Sequence, residues 1–98
     1  MYNKFIVTLD GELKFGNVYL HKDLLPDEHS TCHGGGLWKI DNQSGRVILY
    51  GRSFDFGLPD FEYATWINRT EIPGSLDYPI FYLRTFGEEE IFEEIILK

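Results

Sequence analysis

Runs of β-branched and aromatic residues, punctuated by glycine-containing turns, mark out two β-hairpins. Phe5-Ile6-Val7-Thr8-Leu9 is followed at once by Asp10-Gly11 and then by the run Leu13 to Leu20, and Asp-Gly between two such runs is a strong short-range hairpin signal. In the second run Leu13, Phe15, Asn17 and Tyr19 share one face, with Lys14, Gly16, Val18 and Leu20 on the other. Neither set is cleanly polar, so Gly16 is read as a bulge that shifts the alternation. The second hairpin lies within His33 to Gly57: a glycine-hinged lead-in, a strand Leu37–Asp41, a turn Asn42–Gly45, a longer strand Arg46–Ser53 and a glycine-bounded exit. Gly45 closes that turn and is expected at positive φ.

Between the hairpins, His21 to Cys32 is polar, carries Pro26 and shows neither period, which predicts a loop. Beyond them, Phe61, Ala64 and Ile67 fall at helical spacing, whereas Phe61, Tyr63, Thr65 and Ile67 fit a strand. The reading adopted is a short helix from about Asp60 to Ile67, with Pro59 at its first position. Asn68 to Pro79 reads as a loop and Ile80 to Phe86 as a strand. In the tail, Ile91, Phe92, Ile95 and Ile96 lie on one helical face, with Glu88, Glu89 and Glu90 at the positive end of the helix dipole and Lys98 at the other. The competing reading pairs Ile91–Leu97 as a strand with Ile80–Phe86. A helical tail would dock its apolar face on the sheet, because a small domain needs to bury it.

The expected fold is therefore α+β in a single domain, residues 1–98: an antiparallel sheet of four or five strands from the hairpins 4–20 and 36–53 plus a strand near 80–86, with one or two helices on one face. A hydrophobic fraction of 43% with 16% aromatics supports a packed core. Sixteen acidic against nine basic residues leave a net charge of −7, which repels nucleic acid and anionic membranes and favours a basic protein partner if there is one. Cys32 is the only cysteine, so no internal disulfide forms. With an N-terminus too poor in apolar residues for a signal or a span, the expected setting is the cytoplasm.

All three histidines and the cysteine, His21, His29, Cys32 and His33, fall in one short segment. Imidazole and thiolate suit zinc, although the spacing matches no standard signature. A thiol enzyme would use Cys32 as nucleophile, His33 or His29 as base and Asp27 or Glu28 to orient it, against the difficulty of converging neighbours from one loop. The segment His33-Gly34-Gly35-Gly36 resembles the oxyanion-hole segment of lipases and esterases, but no G-x-S-x-G elbow accompanies it. Asp55-Phe56-Gly57 matches a kinase triplet without the other kinase motifs. Arg52, Ser53, Asp55 and Asp60 beside Tyr50, Phe54, Phe56 and Phe61 have the chemistry of a recognition pocket or protein interface. The plainer reading has the aromatics packed inside and an aspartate capping a helix. The functional expectation is a non-catalytic binding, inhibitor or immunity-type module for a protein partner, with His29, Cys32, His33, Arg52 and Asp55 as binding residues, no required cofactor and a homodimer left open. The alternative is a small enzyme or metal-binding protein using the loop 21–36.

Overall fold

The computed structural model describes residues 1–27, 29–74 and 77–97. Glu28 and Lys98, which the sequence offered as an orienting acid and a helix-end cation, lie outside the described residues. The chain forms one curled sheet, a half-barrel of seven strands. The strands are β1 Tyr2–Thr8, β2 Glu12–Val18, β3 Cys32–Asp41, β4 Arg46–Tyr50, β5 Trp66–Ile67, β6 Ile80–Phe86 and β7 Glu89–Glu94, in the order β5-β2-β1-β3-β4-β6-β7. Pairing is antiparallel except for β2 with β5 and β4 with β6, which run parallel. The only helical features among the described residues are 3₁₀ turns at His21–Leu24, Phe61–Tyr63 and Arg69–Glu71. Among the described residues no helix is long and apolar enough to cross a membrane.

The α+β expectation is thus corrected: the fold is a mixed, nearly all-β sheet. Over 60–67 the helix gives way to the 3₁₀ turn and the short strand β5, which docks on the free edge of β2. The amides of Thr65 and Trp66 donate to Gly11 O and that of Asn68 to Leu13 O. An isolated helix of that length has too few internal bonds to offset its nucleation, and the open edge of β2 supplies the bonds instead. In the tail, the helix would set Glu89 against Glu93 and Glu90 against Glu94 at the repulsive i, i+4 spacing. As a strand, β7 pairs antiparallel with β6, and Glu93 meets Arg84 at 3.1 Å. Gly87, at φ +63°, makes the tight reversal between them.

The first hairpin forms as the sequence indicates, with Val7 opposite Leu13 and Tyr2 opposite Val18. No bulge occurs at Gly16, which pairs in register with Lys4; the irregularity lies between Ile6 and Thr8 on the β3 side. Gly45 has φ +66°. The glycines of 34–36 are not a hinge outside β3 but part of it, and β4 ends at Tyr50, short of Ser53. The core fills the inner face with Phe5, Val7, Leu13, Phe15, Trp38, Val47, Leu49 and Ile80, and with Ala64 and Ile72 from the connections. Fully burying each large side chain is worth roughly 1.5–3 kcal/mol. The Trp38 indole N–H donates to the Lys4 carbonyl at 3.0 Å, so the ring is buried without an orphaned donor. On the outer face, the His21–Leu24 turn covers Ile6, which is fully buried.

Candidate functional site

The glycine run decides how the centre of the sheet is built. Gly35 pairs with Ile6 and Gly36 with Phe5 across β1. A Cβ at Gly35 would meet the Phe5 carbonyl, and one at Gly36 would lie 2.5 Å from the Tyr50 carbonyl. Gly34, at φ +86°, leaves no room for a Cβ beneath the Leu58 carbonyl. With no side chains in the way, the segment after β4 lies directly on the β3 backbone. The Ser53 amide donates to Gly35 O at 2.9 Å, the Gly35 amide to Gly57 O at 3.3 Å, and the Asp60 amide to His33 O at 2.9 Å.

That segment is a closed loop. Ser53 and Gly57 exchange backbone hydrogen bonds at 3.1 and 2.9 Å, and the buried Ser53 hydroxyl accepts from the Phe56 amide at 3.1 Å. The loop tip is thereby fixed, and it holds Phe54 99% exposed. Leu58, just after Gly57, is 65% exposed. The Phe54 ring thus stands in water on a loop whose base is held by the Ser53–Gly57 bonds, where it is free to meet another surface.

Next to the loop is an open groove of about 550 Å³ lined by Arg52, Leu58, Pro59, Phe61, Tyr82 and Arg84. It exists because β4 leaves the sheet at Gly51 while its neighbour β6 runs on to Phe86. The Tyr82 hydroxyl donates to Gly51 O at 2.7 Å, and burial pushes its pKa above the ordinary value. A second cleft, of about 560 Å³, lies between the first hairpin and residues 23–26, 30 and 31. Two of its charged residues are already engaged: Lys14 pairs with Glu71 at 3.1 Å and Glu12 accepts from Asn68 at 3.0 Å.

The His/Cys segment is dispersed by the fold. His21 is buried under its own 3₁₀ turn, with Nε2 2.8 Å from Gly36 O. A carbonyl only accepts, so Nε2 carries a proton and donates it. Burial, partly opposed by this hydrogen bond, lowers its pKa, and Asp55 is close enough for its charge to act on the ring. Cys32 and His33 are successive residues of β3 and point to opposite faces. His33 stacks on Tyr63 with ring centroids 3.8 Å apart and planes within 9°. The Cys32 thiol donates to Gly34 O at 3.6 Å, and burial pushes its pKa up, so it is a protonated thiol rather than an activated nucleophile. Asp27 accepts from the His29 amide at 2.8 Å and from the Ser30 hydroxyl at 3.2 Å. Among the described residues no three His, Cys, Asp or Glu side chains are grouped to hold a metal ion.

Of the binding residues the sequence offered, Arg52 lines the groove and Asp55 lies at the loop tip, both exposed. His33 supports the loop through its carbonyl bond to Asp60, while Cys32 and His29 stand apart from the groove lining. The sequence left Phe54 between a recognition surface and the plainer reading with the aromatics packed inside, and gave Leu58 no role; the structure leaves Phe54 outside. The available signal was the spacing of the aromatic run after the end of β4, bounded by Gly51 and Gly57. In comparison with known proteins, no family model, curated protein or solved structure matches the chain.

Proposed function

We propose that this chain is a non-catalytic protein-binding module of the cytoplasm, a small acidic partner or inhibitor of a basic protein, and that the 51–60 loop is its recognition element. The observation that carries the reading is Phe54, 99% exposed at the tip of a loop whose backbone is bonded to itself and to β3. Exposed aromatics dominate protein interfaces, and a loop already fixed in shape loses little entropy on binding. The adjoining groove offers apolar walls from Leu58, Pro59 and Phe61 for a partner's side chains. The net charge of −7 favours a basic partner and fast, salt-sensitive association. The single cysteine fits a reducing compartment.

The test is affinity capture from the native host with wild type and Phe54→Ala as parallel baits. The expected result is a protein retained by wild type in low salt and lost with the variant, whose melting midpoint stays where it was. Equal retention by both baits, or no retained protein, overturns the reading.

A further inference from the structure

The sheet has two ends, and they are finished differently. At one end β5 is only two residues long. At the other, β7 presents six residues in continuous register with β6, with neither proline nor bulge to blunt it. Short strands, prolines, bulges and charged side chains are the usual means of closing an edge to further pairing, and of these β7 has only the charges, all of one sign. The Ile95 amide donates to Ile80 O at 2.8 Å. Alternation back along the antiparallel pair turns the amides and carbonyls of Glu93, Ile91 and Glu89 towards β6, and those of Glu94, Phe92 and Glu90 away from the sheet. The edge is also held in shape. The Arg46 guanidinium lies over the Phe92 ring at 4.4 Å and over the Phe81 ring at 5.5 Å.

We infer that the outer edge of β7 takes up an extended basic segment of a partner protein by strand addition. The inference rests on the protein-binding reading and adds a second contact, with the chemistry of what binds there. Charge selects the occupant. Both faces of β7 carry an apolar residue between two glutamates: Glu89, Ile91 and Glu93 on one, Glu90, Phe92 and Glu94 on the other. A second copy added antiparallel and centred on Phe92 would set Glu90 against Glu94 twice; centred on Ile91, it would set Glu89 against Glu93 twice. Like charges directly opposite are destabilising, so the sequence that makes this edge open to others closes it to itself. The complement is a strand with two basic, two apolar and two basic residues in succession. It places a cation against each glutamate and an apolar side chain against Ile91 and Phe92, while main-chain bonds to Glu90, Phe92 and Glu94 supply the register.

The probe is a capped synthetic peptide of two lysines, two valines and two lysines, titrated into the isotope-labelled full chain and followed by amide shifts and hydrogen exchange. The expected result is slowed exchange confined to the amides of Glu90, Phe92 and Glu94, with affinity falling at least about tenfold from low salt to roughly 0.5 M salt. Proline fits an edge where its missing N–H faced outward. Glu90→Pro should therefore weaken binding about tenfold or more, against about two- to threefold for Glu90→Gln, which removes one exposed charge only. If Glu90→Pro does not fold, a peptide N-methylated at alternate residues makes the same test on the intact protein and should lose binding in one of its two methylation phases.

Shifts spread over the acidic surface with no slowed amides mean attraction between polyions and overturn the inference. So does equal binding of a glutamate-for-lysine control peptide, and so does self-association through β7 as the chain is concentrated. Phe54→Ala should bind the peptide as wild type does. Loss of peptide binding with Phe54-dependent capture intact removes strand addition alone; the reverse removes the loop.

Discussion

The centre of the sheet and its β7 edge are built on opposite terms. At Gly34–Gly36 the chain gives up its side chains, the residues are buried, and the backbones of β1 and the 51–60 loop close on them from both sides. At β7 every side chain is kept, all six residues are exposed, and a single neighbouring strand holds them. The centre is specified by the absence of atoms and tolerates no addition. The edge is specified by charge and by one ring over one guanidinium, and it tolerates substitution while leaving main-chain bonds open. Both surfaces we assign to binding draw their rigidity from elsewhere: Phe54 from the glycine run beneath its loop, β7 from Arg46 and β6.

The comparison breaks first at Gly34. Gly34→Val combines a left-handed backbone with a collision against the Leu58 carbonyl, and it should cost at least about 3 kcal/mol by urea unfolding, since either strain alone reaches about 1–3 kcal/mol. A midpoint close to wild type would show that the loop does not bear on β3. At the edge, Phe92→Ala removes a ring that is 41% exposed and its contact with Arg46. A loss of roughly 1–2 kcal/mol is expected, well below the central substitution, with the fold intact by circular dichroism.

The smallest effect lies under the centre, at His21. Burial holds its pKa below the ordinary 6.5, so on acidification the unfolded chain takes up a proton before the folded one does. Stability is therefore undiminished above about pH 6.5 and falls as pH drops below it, until the folded-state pKa is reached. Asp41 acts in a separate, more acidic window: hydrogen bonds from the Ser44 hydroxyl and amide, and from the Gln43 amide, hold its carboxyl below the ordinary 3.8, so its contribution is lost as pH falls through that range. His21→Gln, whose amide can still donate to Gly36 O, should flatten the decline just below pH 6.5 in urea titrations. An equally steep decline in the variant would place the titrating group elsewhere.

Local signals carried the parts of the fold that local chemistry controls. Asp10-Gly11 and Gly45 marked reversals that need a particular backbone, and Ile80–Phe86 was legible as a strand from its residue types. The tail was ambiguous because Ile91, Phe92, Ile95 and Ile96 satisfy a helical face as well as a strand, and the repulsion between its glutamates counted only once a partner strand was in place. The same holds at Trp66–Ile67, whose strand exists because the edge of β2 was free. Phe54 could be named with Tyr50, Phe56 and Phe61 as recognition chemistry, but nothing in Phe54-Asp55-Phe56 says which ring is left outside, because aromatic residues are ordinarily buried.

By itself the sequence determined the first two hairpins, the acidic balance and the absence of a disulfide within these residues, since each follows from residue type or neighbours a few positions away. Only the tertiary structure decided the parallel pairings of β2 with β5 and β4 with β6, the dispersal of the His/Cys segment, and the open edge of β7. Those depend on which distant backbone offers hydrogen bonds and which face a strand turns inward, and both are fixed only when the sheet curls around its core.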